Sequence, residues 1–228
     1  AVEAAVLSSL AGLVAMQARF DEARRVYARS RRLWEELGLR YAVAGLTQVG
    51  GEIELLAEAP SAAERELRAG QEILETMGGN PLQSALLARS LVEQGSDEEA
   101  EALAREAERA DGHEIQAKVI ALEIRATVAA RNGRLDEALE LARAAVARSC
   151  DTDAPNLRAD SLLTLGSCLF LAGDDANGGE RIDEARELYL AKGNVAALTR
   201  LARSSEPDLP SEAREKYRRP GAITRRVR

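Results

Sequence analysis

Small residues recur through this sequence at fixed distances. The unit is two small residues 12 positions apart followed by a third 7 further on, and five copies follow one another at steps of 39, 38, 38 and 40 residues. In the second copy the first two small residues are 13 positions apart instead of 12. A repeat of this length is typical of a solenoid, in which each unit buries its apolar face against its neighbours. The positions, copy by copy, are Ala11, Ala23 and Ser30; Gly50, Ala63 and Gly70; Ala88, Ala100 and Ala107; Ala126, Ala138 and Ala145; and Gly166, Gly178 and Ala185.

The fourth copy indicates that each unit is a pair of helices. Asn132 and Gly133 separate two apolar segments, and the second segment begins with acidic residues and has arginines toward its end, as the helix dipole favours. Its apolar residues have the three-and-four spacing of one buried helical face, at Leu135, Ala138, Leu139, Ala142, Ala145 and Val146. Aromatic residues make up only 3% of the chain, which argues against a sheet-rich fold. The sequence therefore predicts an all-α fold.

The repeats predict one domain over residues 1–203 and a separate tail over 204–228. The predicted helix pairs span 1–38, 39–78, 79–111, 112–151 and 152–192, and a closing helix spans 193–203. The last fifteen residues carry seven basic side chains and one acid, a net charge of +6, so the rest of the chain is near −13 in a chain of −7. We interpret this basic tail as a solvated, disordered end, although it could also bind nucleic acid, an anionic surface or the protein's own acidic body.

The sequence contains no recognisable catalytic, cofactor-binding or metal-binding motif. His113 is the only histidine, and no Gly-Lys-Ser/Thr phosphate loop is present. Cys150 and Cys168 are expected roughly 20 Å apart on antiparallel helices, as reduced, buried or half-buried thiols. Most acids fall at predicted helix starts, where the dipole and capping explain them. We therefore predict a protein that is not an enzyme and needs no cofactor or metal.

Membranes and nucleic acids are also disfavoured as partners. The longest apolar runs, such as residues 11–16, are far shorter than a membrane span, and no signal peptide opens the chain. The tail has one aromatic residue, Tyr217, which is too few for base stacking, and an acidic body would repel phosphates. These features predict a cytoplasmic protein.

The repeat pattern resembles the tetratricopeptide repeat. The residues that match this family best are Leu162, Leu165, Gly166, Leu169, Gly178, Ile182 and Ala185. The resemblance implies a right-handed α-solenoid of antiparallel helix pairs, with the first helix of each pair on the concave face. Because the steps of 38 to 40 residues exceed the usual 34, the helices should be about one turn longer than standard.

Several segments are more specifically similar to the C-terminal repeat region of actinobacterial multidomain signalling proteins. They are residues 44–57, 62–68, 156–163 and 187–194. In that family a class III adenylate or guanylate cyclase domain and an AAA-type or STAND ATPase domain precede the repeats. The resemblance implies that the nucleotide chemistry lies outside this chain. It also implies that the repeats act as a regulatory module, coupling the binding of a ligand or partner to those domains.

The partner is predicted to be a protein or peptide, or other domains of the same polypeptide. A small-molecule ligand and either sign of regulation stay open. By resemblance, the residues expected on the concave face are Arg40, Gln48, Glu52, Arg89, Arg125 and Arg158. Two alternatives remain. A transcription-linked module would use the tail on DNA, and a helical enzyme would need two or more carboxylates with strongly shifted pKa values in one pocket.

Overall fold

The computed structural model describes residues 1–110 and 114–204. These residues form eleven α-helices and no β-strand, so the predicted all-α fold is confirmed. His113 and the basic tail beyond Ser204 lie outside the described residues. The helices are α1 (Val2–Met16), α2 (Phe20–Glu36), α3 (Arg40–Leu56), α4 (Pro60–Glu75), α5 (Pro81–Glu93), α6 (Asp97–Arg109), α7 (Ile115–Arg131), α8 (Leu135–Ser149), α9 (Pro155–Leu171), α10 (Asp175–Lys192) and α11 (Val195–Ser204).

Consecutive helices form five pairs that stack in chain order. Each odd-numbered helix from α1 to α9 packs against the even-numbered helix that follows it. The odd-numbered helices also contact one another in sequence, whereas the even-numbered helices make no comparable contacts among themselves within the described residues. The odd-numbered helices therefore form the inner face and the even-numbered helices the outer face of an α-solenoid, as predicted.

The small residues of the repeat lie where neighbouring helices approach closely. All fifteen are buried, from Ala11 in α1 to Ala185 in α10. A small side chain lets two helix backbones come together, and larger neighbours such as Leu67, Leu87 and Ile120 fill the remaining space. The repeat spacing thus marks the contact points of the helix pairs.

Glycines replace alanine where the approach is too close for a methyl group. A Cβ added to Gly70 would lie 2.1 Å from the Thr47 hydroxyl oxygen and 2.6 Å from the Ala44 carbonyl oxygen. One added to Gly51 would lie 2.6 Å from Leu67 Cγ. Close packing therefore explains these glycines inside helices, despite their cost in conformational entropy.

The turn inside each pair has the same backbone conformation in all five repeats. The second residue after the first helix is left-handed in every case, and it is glycine at Gly95, Gly133 and Gly173. In the first two repeats it is Ala18 (φ 58°) and Glu58 (φ 56°). A non-glycine residue in this region costs about 1 kcal/mol, so the first two turns are mildly strained.

The two ends of the solenoid touch each other. α1 packs against α11, and Gln17 Nε2 donates a hydrogen bond of 2.7 Å to the carbonyl oxygen of Gly193. Arg203 Nη1 lies 2.9 Å from Glu58 Oε2. We call these two contacts the seam. The chain therefore curls far enough to bring its first and last repeats around a common centre.

Two further expectations concern membranes and thiols. No helix in the described part of the chain is long and apolar enough to cross a membrane. Both cysteines are free thiols. Cys168 is buried as expected, but the expectation of burial for Cys150 is wrong, because this residue caps the end of α8 and is exposed.

Candidate binding cavity

A cavity of about 420 Å³ lies at the centre of the curled solenoid. All five inner helices line it, together with α11 and the segment that leads into α9. Its apolar wall includes Ile53, Leu56, Leu86 and Ile120. Residues near both ends of the chain therefore form parts of the same cavity wall.

An ion-pair network includes two of the residues that line the cavity, Arg89 and Asp160. Arg89 Nη2 donates to Glu123 Oε2, and Arg89 Nη1 lies 3.3 Å from Asp160 Oδ2. Ser161 Oγ donates to the other oxygen of Glu123 at 2.5 Å, and the Tyr189 hydroxyl donates to Asp160 Oδ1. Four helices, α5, α7, α9 and α10, are thereby joined through polar side chains.

The network is largely removed from water. The side chains of Arg89, Glu123 and Asp160 are 22%, 5% and 24% exposed. Burial works against the charged form of Arg89, but Glu123 and Asp160 outweigh it and raise the pKa of the guanidinium. Burial raises the pKa of Glu123 above its ordinary value, an effect that Arg89 partly offsets. Burial, and then Asp160, raise the pKa of Tyr189.

Glu52 lines the cavity without a partner. Among the described residues its carboxylate accepts no hydrogen bond and joins no ion pair, although the side chain is half-buried on α3. Burial raises its pKa to about 7, Asp160 adds to this increase, and Arg89 lowers it. Glu52 is therefore poised to change its charge near neutral pH.

The structure brings two of the six predicted concave-face residues together, Glu52 and Arg89. Gln48 lies one turn before Glu52, and its Nε2 is buried without a hydrogen-bond partner among the described residues. Arg125 is half-buried and pairs with Glu108 of α6. Arg40 and Arg158 are exposed at the starts of α3 and α9 and do not line the cavity.

Sequence reasoning missed the acidic partners of Arg89. Glu123 lies between Leu122 and Ile124 in a stretch of α7 where residues 119–124 are all buried, and an acid in an apolar stretch was the available signal. Asp160 offered no signal, because its partner Arg89 is 71 residues away and occupies a different position in the repeat.

The cavity lining includes one carboxylate that has no protein partner among the described residues. Burial raises the pKa of three carboxyl groups, those of Glu52, Glu93 and Glu123, and only Glu52 lines the cavity. Arg89 and Ser161 both bind the carboxylate of Glu123. Within residues 1–110 and 114–204 no group of three His, Cys, Asp or Glu side chains could hold a metal ion. A lone unpaired carboxylate supplies charge and one proton, but no nucleophile paired with a base.

Comparison with known proteins identifies the fold. No protein-family model and no curated protein sequence matches this chain. Among solved structures, BtubC (BKLC) from P. vanneervenii matches 97% of this chain and 86% of its own, with a TM-score of 0.56 and 17% identity.

A second structure is YrrB, described as a TPR protein with an unusual peptide-binding site. It matches 83% of this chain and 91% of its own, with a TM-score of 0.43 and 17% identity. The likeness to BtubC, at 17% identity, concerns the fold alone.

Proposed function

We propose that this chain is a protein-interaction module that holds a peptide segment of a partner in its central cavity. The observation that carries the proposal is the cavity itself, which all the inner helices line. Its volume of about 420 Å³ is in the range of ligand sites, and its wall combines apolar side chains with a few charged groups. An interaction along the inner face also suits a solenoid, whose curvature creates a concave binding surface.

A cavity-filling substitution tests this proposal. Gly12 lines the cavity, and a Cβ at this position would meet nothing within 4 Å, so Gly12→Phe places a ring in the cavity without a backbone clash. Gly179→Phe is the matched control, because Gly179 is equally open but does not line the cavity. Peptides would be selected from a random library on the 228-residue chain, and their affinities measured for both variants.

We expect selected peptides to bind Gly12→Phe at least about tenfold more weakly than the natural chain, a loss of about 1.4 kcal/mol, and to bind Gly179→Phe normally. Equal binding to all three proteins would show that the peptides bind outside the cavity, which would contradict the proposal. A library that yields no binder at all would contradict it too.

The proposal extends to regulation. By its resemblance to cyclase-associated repeat regions, the chain would couple peptide binding to cyclase or ATPase domains of the same polypeptide, in the cytoplasm. Two unpaired thiols support a reducing compartment. Cyclase activity of the parent protein with and without these repeats tests the coupling. If removing the repeats changes cyclase activity, the direction of the change shows whether they activate or inhibit. If activity is unchanged in a truncated protein that still folds, the repeats would serve as a docking scaffold instead.

A carboxylate enzyme is the second candidate, because Glu52 has a pKa near 7 in a cavity. This candidate requires turnover of a bound ligand that Glu52→Gln abolishes. Binding of the selected peptides without chemical change would exclude them as its substrates.

A further inference from the structure

We propose that the central cavity recognises an organic cation, the ammonium group of a lysine side chain or of a peptide N-terminus, through Glu52. This inference deepens the proposed function and rests on it, because it names the chemistry of the group that the cavity holds. It follows from the charges inside the cavity and from which of them are already paired.

The positive charge of Arg89 is already matched by protein groups. Glu123 and Asp160 both bind its guanidinium. Asp160 in turn accepts the Tyr189 hydroxyl, and Glu123 accepts the Ser161 hydroxyl. Each member of this network therefore has its partners within the protein, and a ligand that displaced one would leave a buried charge uncompensated.

Glu52 differs from these groups. It lines the same cavity, yet no cation or hydrogen-bond donor of the described residues contacts its carboxylate. A carboxylate that is half-buried without a partner is disfavoured in its charged form, and it either takes up a proton or gains a cation. A ligand ammonium group would supply the missing partner, whereas Glu52 would repel a ligand carboxylate placed against it.

The groups around Glu52 are mixed in charge. Glu123 binds Arg89 and does not line the cavity. Glu93 lies near Arg89 and Arg200, and the lining residues of α1 and α7 carry no charge. Asp153, just before α9, and Lys192, the last residue of α10, are both exposed. The charged side chains that line the cavity beside Glu52 are Arg89, Asp153, Asp160, Lys192 and Arg200.

The apolar wall suits the remainder of a lysine. Ile53, Leu56 and Leu86 line the cavity with Glu52. A lysine carries its charge at the end of four methylene groups, which pack well against apolar side chains while the ammonium group reaches a carboxylate. This combination favours a lysine of a partner segment over a small inorganic cation, which would require several oxygen ligands.

Calorimetry with short peptides tests the inference on the 228-residue chain. The probes are N-acetylated, C-amidated pentapeptides of alanine with a central lysine, leucine or glutamate, and a penta-alanine amide with a free N-terminus. The last probe distinguishes recognition of an N-terminal ammonium group from recognition of a side chain. The proteins are the natural chain, Glu52→Gln, and the control Glu72→Gln, whose side chain is exposed on α4.

We expect the lysine peptide to bind at least about tenfold more tightly than the leucine peptide at pH 8, and the glutamate peptide to bind most weakly. Glu52→Gln should abolish this preference, and Glu72→Gln should retain it. Between pH 8 and pH 6 the lysine affinity should fall about tenfold in the natural chain, because the ionised fraction of a group with a pKa of about 7 falls by that factor. Glu52→Gln should show no such fall.

Other outcomes would overturn the inference. These are a preference for the glutamate peptide, an unchanged lysine preference in Glu52→Gln, or lysine binding that Gly12→Phe leaves intact. If library peptides are blocked by Gly12→Phe but neither cationic probe is preferred, the proposed function stands and only the cation inference fails. If Gly12→Phe blocks nothing, the proposed function fails as well.

Discussion

At the scale of single residues, Arg89 is the side chain on which the inner face depends. It is the cation between Glu123 and Asp160, which come from two further helices. Such a pair contributes little net stability compared with an apolar substitute for both partners, but removing one partner leaves the other charge buried. The network therefore contributes more to fixing the relative positions of α5, α7 and α9 than to the net stability of the fold.

Arg89→Met should lower the free energy of unfolding by about 3 to 5 kcal/mol at pH 8, because two buried carboxylates lose their cation. Chemical denaturation measures this. The loss should shrink as the pH falls and Glu123 takes up a proton. Arg186→Met is the control, since Arg186 and Asp183 are exposed and their pair contributes about 1 kcal/mol or less. Equal losses in the two variants would show that the inner network has no special role.

Glu52 should make the protein less stable as the pH rises. Its pKa is about 7 in the folded chain against an ordinary 4.5, so between these values the folded state holds a proton that the unfolded chain has released. Stability from this group is therefore present below pH 4.5 and is lost as the pH rises toward 7. Glu52→Gln should be more stable than the natural chain by about 1 to 3 kcal/mol at pH 8 and nearly equal to it at pH 4.5. Urea melts at both pH values test this, and Glu72→Gln should follow the natural chain.

At the scale of helices, two glycines of the second repeat differ in how closely a neighbouring helix approaches them. Gly70 of α4 leaves no room for a methyl group beside Thr47 and the Ala44 carbonyl oxygen of α3. Gly45 of α3 is also inside a helix, yet a Cβ there would meet nothing within 4 Å. The two glycines therefore separate the effect of packing from that of helix propensity.

Gly70→Ala should destabilise the chain by about 1 to 3 kcal/mol, because α4 must move away from α3. Gly45→Ala should stabilise it by about 0.5 to 1 kcal/mol through reduced backbone entropy of the unfolded state. Thermal and urea denaturation measure both. A gain for Gly70→Ala, or losses of similar size in both variants, would contradict the close approach between these helices.

At the scale of the whole molecule, the seam joins the two ends of the chain that contribute to the cavity. Neighbouring repeats are held by extensive packing, but the two ends of the chain meet through the contact of α1 with α11 and a few polar contacts, one of which joins α11 to the second repeat. In a solenoid each unit is stabilised mainly by its neighbours, so the ends are the parts that most easily separate.

The combined variant Gln17→Ala with Arg203→Ala should loosen the seam while costing about 1 kcal/mol or less in stability, because its contacts are exposed. Distances between spin labels at Ser9→Cys and Ala202→Cys, with Cys150 replaced by serine, would measure the effect. We expect a broader distance distribution in the variant. Labels at Ala102→Cys and Ala147→Cys, on α6 and α8, should give the same distribution in both proteins. An unchanged distribution between α1 and α11 would mean that apolar packing alone holds the ends together.

The sequence by itself determined the helix pairs and their contact points. The spacing of small residues is a local property, because residues three, four and seven apart share one face of a helix, and a helix pair joins positions only 12 to 19 residues apart. That is why all fifteen small residues, including Ala126, Ala138 and Ala145, are buried in the described structure.

The tertiary structure alone decided the cavity and the partners of its charges. Each repeat is rotated slightly relative to the one before it, and these rotations add up over five pairs. The total rotation cannot be read from any short segment of sequence. The contact between Gln17 and Gly193 was therefore not predictable from the repeat spacing. The same curvature brings Arg89 to Asp160 and leaves Glu52 unpaired beside them. Which of the predicted polar residues share a site was therefore settled by long-range geometry, whereas the helices that carry them were already encoded in the local sequence pattern.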